Sequence, residues 1–180
     1  MTDIDALINR MSGIRLDIGC GANKQDGFVG MDKQELPGVE IVHDVNDHPW
    51  PLPDECVLVA ICSHLVEHIP AVAVNGHETR FPFVEFMNEL WRVMKPGGKV
   101  AIAYPHGSSQ GYLQDPTHCN ALNEATWVYF DPEHEFYRFY KPKPWEVREL
   151  YFDPTRNVEV LLVKREENQN GDSESESGDA

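Results

Sequence analysis

Between residues 57 and 104 the chain has few folding choices. Val57 to Cys62 (VLVAIC) is a continuous apolar run, the pattern of a strand in the middle of a parallel sheet. Further on, Phe83, Val84, Met87, Leu90, Trp91 and Met94 recur at three- and four-residue steps, the stripe of an amphipathic helix. Pro82 suits the first turn of that helix, and Lys95-Pro96-Gly97-Gly98 stops it with a base, a breaker and glycines. Lys99 to Tyr104 follows as another strand. Helix, Pro-Gly-Gly and apolar strand make a βαβ return, and strands alternating with helices indicate an α/β domain with a mostly parallel sheet.

The flanking segments extend this pattern. Ile4, Leu7, Ile8 and Met11 have helical spacing after a possible Thr2 or Asp3 cap. Arg15–Ile18, Phe28–Met31 and Val39–His43 read as short strands, with Gly19–Gly27 a glycine-containing turn. Only six residues separate Gly21 from Phe28, and Lys33–Gly38 is equally short. A parallel crossover normally needs a dozen or more residues. Either the first two helices are therefore reduced to single turns, or these strands have other boundaries. Residues 105–123 form a long polar stretch of the kind that is functional or mobile. Asn123 can cap a short helix over Glu124–Phe130, and Glu146–Phe152 with Val158–Lys164 read as an antiparallel pair around the Asp153–Asn157 turn.

The chain of 180 residues carries a net charge of −15. Its last fifteen residues, Glu166 to Ala180, hold six acids and no base and read as a disordered tail. We expect one domain over 1–165 with the tail at 166–180. The remainder is still acidic and has no Lys/Arg cluster, so nucleic acid is a poor substrate. No apolar run is long enough to span a bilayer, and the N-terminus has no secretory core; the expected setting is cytoplasmic, with no membrane partner. Cys20, Cys56, Cys62 and Cys119 form no CxxC pair and are expected to be thiols.

Candidate binding residues cluster where the strands end. Leu16-Asp17-Ile18-Gly19-Cys20-Gly21-Ala22-Asn23-Lys24 is a strand running into a glycine turn that lets backbone approach a ligand. Asp32 ends the second strand, where a carboxylate can accept both hydroxyls of a ribose, and Asp44 ends the third, where one can accept an adenine amino group. Each acid alone is an ordinary solvated strand end. Three at successive strand ends beside a Gly-x-Gly turn are not. The dinucleotide pattern GxGxxG fails, because Lys24 stands at its third glycine, which weighs against a nicotinamide-dependent oxidoreductase.

LDIGCGANK, GFVGMD, HDV, VLVAICSHLVEHIP and ELWRVMKPGGKVAIAYPH, in that order, resemble the class I S-adenosylmethionine (SAM)-dependent methyltransferases, in a trimmed subgroup with an Asn-Lys turn. The resemblance covers about residues 13–165. It implies a Rossmann-like, doubly wound, seven-stranded sheet closed by a reversed hairpin, and methyl transfer from SAM. It implies that Asp17, Gly19, Cys20, Gly21 and Asn23 line the methionine end of SAM, that Asp32 holds the ribose, that Asp44 and Val45 border the adenine, and that Ser63, His64 and Leu65 floor the pocket. Asn23 departs from the family, standing where many members have a third glycine. In such enzymes the region after the fifth strand meets the acceptor, which makes His106, Asp115 and His118 candidates for acceptor contact or a general base, with Tyr104 packing nearby.

Several patterns point elsewhere. His64-Leu65-Val66-Glu67-His68 matches HxxEH, a zinc pattern when it lies on a helix. The strand before it and Pro70 after it leave little room for a helix, so no metal is expected. Trp127, Tyr129 and Phe130 are a possible lid, and the aromatics Phe136, Tyr137, Phe139, Tyr140 and Trp145 read as core and sheet edge. The exocyclic-amine DNA methyltransferase segment is missing where Ser63-His64-Leu65-Val66 stands. Together with the charge, this favours a small-molecule, glycan, lipid or protein acceptor. The rival reading is a non-catalytic methyltransferase-like partner subunit.

Overall fold

The computed structural model describes Ile8 and residues 12–165. The expected N-terminal helix and the acidic tail lie largely outside the described residues. Seven strands form one sheet: β1 (Ile14–Ile18), β2 (Val29–Asp32), β3 (Val39–Val42), β4 (Val57–Ser63), β7 (Met94–Pro105), β8 (Trp145–Phe152) and β9 (Asn157–Lys164). Their order is β3-β2-β1-β4-β7-β9-β8. The first five are parallel, and β9 runs antiparallel to both β7 and β8. This is the seven-stranded α/β sheet with a reversed terminal hairpin that the resemblance implies.

Between β4 and β7 lie a 3-10 turn (Val66–His68), a small hairpin of β5 (Ala73–Asn75) and β6 (Glu78–Arg80), and helix α1 (Pro82–Val93). The helix begins with Pro82 and ends at Val93, where Met94 turns extended. Its buried face carries Phe83, Phe86, Met87, Leu90 and Val93. The sequence reading passed over the β5–β6 hairpin, although Asn75-Gly76 with Gly76 at φ +62° is a strong hairpin signal.

The two short crossovers contain no helix: residues 19–28 and 33–38 are turns and bends. A long side chain provides cover there instead. Lys24 lies across Gly30 and pairs with Glu40, whose other oxygen accepts the Gly30 N–H at 2.7 Å. A Cβ at Gly30 would stand 2.8 Å from both Cys20 Sγ and Lys24 Cδ, so glycine is required for this close packing. Both crossovers are therefore as short as the sequence suggested, with strand boundaries shifted by one residue.

The missing helices have a consequence for the sheet. Right-handed connections place the β1-to-β2-to-β3 links on one face and the β4-to-β7 link on the other. α1 covers the second face, where Leu16, Ala60, Cys62, Val100, Ile102, Val160 and Leu162 are buried. On the first face Ala101 is exposed and Ile61, Ala103 and Leu161 are half-buried, lining a shallow apolar concavity. VLVAIC is thus a central parallel strand, but its odd-face residues lack the cover that its continuous apolarity led us to expect.

The later segments also differ from expectation. Glu124–Tyr129 is a 3-10 helix, with the Asn123 cap accepting from Ala125 N at 3.0 Å. Of the three residues expected as a lid, Trp127 and Phe130 are buried in the core, while Tyr129 is exposed and stacks on Phe136. Tyr104 is also buried: Trp127 Nε1 donates to its hydroxyl at 2.9 Å, and that hydroxyl donates to Asn123 O. Of the late aromatics only Trp145 is fully buried, whereas Phe136, Phe139 and Tyr140 are exposed around the short helix α3 (Tyr137–Tyr140). Their crowding favours a local aromatic cluster over burial in the sheet.

Candidate functional site

Two cavities lie side by side beyond the carboxyl ends of the parallel strands, where an open α/β sheet places its ligands. The first, of about 460 Å³, is bordered by Gly19, Asp32, Asp44, Val45, His64 and Leu65 among others. That volume is in the range of small-ligand sites. The second, of about 310 Å³, is bordered by Glu67, Pro105, Gly111, Gln114, Asp115, His118 and Asn157. His64 and His68 border both.

The glycine turn builds one wall of the first cavity. Gly19 leaves β1 at φ +69°, its N–H held by Met31 O at 2.8 Å, and a Cβ there would press on the Leu65 side chain at 3.0 Å. Asp32 staples the turn from β2, with one oxygen accepting Gly21 N and the other Gln34 N, each at 2.9 Å. A carboxylate oxygen has a second lone pair, so both can still accept from a ligand. Asp44 closes the end of β3, where its Oδ1 accepts from Asn46 N and Nδ2 at 2.9 Å.

Asp17 sits behind this wall and does not border the cavity. It is buried and accepts the Gln25 N–H at 2.8 Å. Burial pushes its carboxyl above the ordinary range, opposed by that amide and by the Lys24 charge. Cys20 is buried against Gly30, and burial with the nearby Asp17 and Asp32 charges pushes its thiol up. Gly21 and the exposed Asn23 belong to the same turn. Ser63 borders the open sheet face instead.

The catalytic candidates separate into two groups. Asp115 and His118 reach the second cavity together, with His118 Nε2 3.8 Å from Asp115 Oδ2. Hydrogen bonds from the Thr117 hydroxyl and amide hold the Asp115 carboxyl below the ordinary range. His106 borders neither cavity: its ring bridges Glu124 Oε2 at 2.9 Å and Ser108 at 2.8 Å, tying the loop to the 3-10 helix. The 105–123 stretch contains helix α2 (Gln110–Leu113), capped by Ser109. The chain is clamped to the 66–68 turn, where Glu67 O accepts from Cys119 N at 2.9 Å and Asn120 N at 3.1 Å. Glu67, absent from the sequence candidates, is the residue this clamp centres on.

No protein-family model matches the chain, and no curated protein sequence matches it. Solved structures do. A SAM-dependent methyltransferase from Archaeoglobus fulgidus superposes with a TM-score of 0.55 at 16% identity, covering 89% of this chain and 93% of that one. A protein described as a methyltransferase, solved in complex with the Trm112 methyltransferase activator of Haloferax volcanii, gives 0.54 at 13%, covering 91% and 89%. The [4+2]-cyclase SpnF gives 0.54 at 13%, covering 89% and 81%. The chain has the class I SAM-dependent methyltransferase fold. At these identities the likeness concerns architecture, and one fold hosts several chemistries. Among the described residues no helix is long and apolar enough to cross a membrane.

Proposed function

We propose that the chain binds SAM in the 460 Å³ cavity and transfers its methyl group to an acceptor held in the adjoining 310 Å³ cavity. The observation that carries this is the adjacency of the two spaces across His64 and His68, with two strand-end acids on the donor side and a polar wall on the other. SAM supplies an electrophilic methyl on a sulfonium. Asp32 would accept the ribose hydroxyls, Asp44 and Val45 would border the adenine, and the Gly19–Gly21 turn, with Asp17, Cys20 and Asn23 behind or beside it, would shape the methionine end. Ser63 stands apart from that pocket on the open sheet face.

The reaction is a displacement. The acceptor's lone pair forms the new bond to the methyl carbon, the carbon–sulfur bond breaks, its electrons stay on sulfur, and S-adenosylhomocysteine leaves. Asp115 and His118 are placed to take the acceptor's proton. Most of the acceleration would come from holding the two reactants in line. His106 serves the loop and is a positioning residue in this reading. The acceptor is a small molecule, glycan, lipid or protein group; the acidic chain repels nucleic acid.

Isothermal titration with SAM and, separately, NAD tests the donor site on wild type, Asp32→Ala and Gly19→Ala. SAM binds wild type and NAD does not. Removal of the Asp32 acceptor weakens SAM by roughly 1–3 kcal/mol. Gly19→Ala loses most binding, since its Cβ presses on Leu65, which borders the cavity, and φ +69° strains any side chain there. A folded wild type that fails to bind SAM overturns the reading. The open apolar sheet face favours a second reading, a non-catalytic partner subunit, which such a failure would promote.

A further inference from the structure

Glu67 is fully buried between the two cavities, and neither of its carboxylate oxygens has a hydrogen-bond partner. A charge placed this way is costly without a counter-ion. The groups facing it are imidazoles: His64 Nδ1 at 3.3 Å and His118 Nε2 at 4.0 Å from Oε1. One donor atom each from Glu67, His68 and His118 lies within 4.8 Å of the other two.

The hydrogen bonds around the two histidines assign their tautomers. His118 Nδ1 lies 2.8 Å from the Tyr112 carbonyl, which only accepts, so Nδ1 carries a hydrogen and, in the neutral ring, Nε2 is the lone-pair nitrogen, 4.0 Å from Glu67 Oε1. Thr117 Oγ1 donates its hydrogen to Asp115 Oδ1 at 2.7 Å, so it accepts from His68 Nδ1 at 3.1 Å. His68 Nε2 is then also a lone-pair nitrogen. Carbonyl and carboxylate-backed partners of this kind are what orient metal-bound histidines. The arrangement is held by backbone: Cys119 N and Asn120 N donate to Glu67 O, and Asn120 Nδ2 donates to Val66 O.

We propose that Glu67, His68 and His118 bind one divalent transition-metal ion of the zinc, manganese or cobalt type. Two imidazoles and a carboxylate suit such borderline ions, and three protein ligands leave coordination positions open for an exogenous group. Those positions face the second cavity, where they take an oxygen of the acceptor. That last step rests on the methyl-transfer reading, but metal binding itself does not. His118 is then a ligand, and Asp115 is the carboxylate placed to receive the acceptor's proton. Of the HxxEH residues, set aside in the sequence with no metal expected, Glu67 and His68 are ligands here and His64 is not; the third ligand, His118, comes from across the loop.

The test is titration of the full chain, stripped with chelator, with Co²⁺ and Zn²⁺. Calorimetry and the visible absorption of Co²⁺ are read for wild type, Glu67→Gln, His68→Ala and His118→Asn. SAM titrations without metal run in parallel and report both folding and the donor site. One equivalent of metal should bind wild type, with Co²⁺ bands of a nitrogen–oxygen site. Each variant should lose at least about tenfold in affinity; Glu67→Gln and His118→Asn, which do not border the donor cavity, should keep SAM binding within about twofold, and folding of His68→Ala is read from its thermal melt. If Glu67→Gln does not fold, the two histidine variants decide. Wild type that takes SAM but no metal overturns the proposal and leaves methyl transfer standing. Metal affinity unchanged in all folded variants overturns it equally. Metal binding without SAM binding would uphold the site and overturn the donor reading instead.

Discussion

Asp17 shows how much a single position in the glycine turn has to reconcile. Its carboxyl is buried behind the donor cavity with one backbone amide for company, and burial raises its pKa. A carboxylate with a raised folded pKa binds its proton more tightly folded than unfolded. Its ionised form therefore subtracts stability above the unfolded value, about 3.9, and that penalty is complete once pH exceeds the folded value. Asp17→Asn keeps an oxygen to accept from Gln25 N and removes the charge. It should melt higher than wild type at pH 7, with the gain shrinking as pH falls toward about 4, and, since Asp17 does not border the donor cavity, should bind SAM within about twofold of wild type. Thermal melts across that pH range, paired with SAM titration, check both halves; a variant no more stable at pH 7 sinks the argument. At this scale the strand-end acids were legible because chemistry and position coincide at Asp32 and Asp44. Glu67 and His68 stood out only within HxxEH and His118 only by itself; their juxtaposition was not legible, because His118 lies far along the chain and Tyr112 and Thr117 are brought near only by folding.

Helix α1 and the loop before β4 are joined by a network that no periodicity reveals. Glu89 accepts from Trp50 N at 2.6 Å and from Arg92 at 2.6 and 2.9 Å, while Arg92 also reaches Asp54, Leu52 O and Trp50 O. The network anchors the loop that brings Val45 to the donor cavity, with Trp50 buried in the core. Burial opposes the Glu89 charge, but Arg92 and the Trp50 amide outweigh it and hold the carboxyl below its ordinary range. Glu89→Ala should cost roughly 1–3 kcal/mol by leaving the buried Trp50 amide without its acceptor and removing one of the two carboxylates that pair with Arg92. Because the folded pKa is lowered, wild type loses this stabilisation as pH falls through the carboxylate range, so the gap between the two proteins should narrow in acid. Denaturant melts at neutral and acidic pH measure it; an equal gap at both would refute the electrostatic origin. α1 itself was readable, since its stripe is local, but it ends at Val93, and Met94 and the Pro-Gly-Gly expected to stop it already belong to β7. The covering roles of Lys24 and Trp50 were not, because each depends on a strand or helix distant in sequence.

The whole molecule is a sheet with two unequal faces. Strand order places both carboxyl-end cavities where β1 and β4 lead in opposite directions, so the site follows from topology as much as from motif. The same topology, with helices in only one set of crossovers, leaves one face without cover among the described residues. Neighbouring positions on β7 expose the asymmetry: Ala101 pairs with Ile61 and Leu161 on the open face, whereas Ile102 is 1% exposed under α1. Ala101→Lys can lay its methylenes along Ile61 and Leu161 and keep its ammonium in water, so the isolated chain should change by no more than about 0.5 kcal/mol. Ile102→Lys buries an unpaired charge and should not fold. Denaturant melts with light scattering on both variants distinguish the cases. If Ala101→Lys unfolds the chain, the face is covered in solution by the chain's own segments. If it leaves the fold intact but dissociates an oligomer, the face is an interface. A stable monomer with unchanged SAM binding establishes that half a layer of helices is sufficient to hold this sheet and its site.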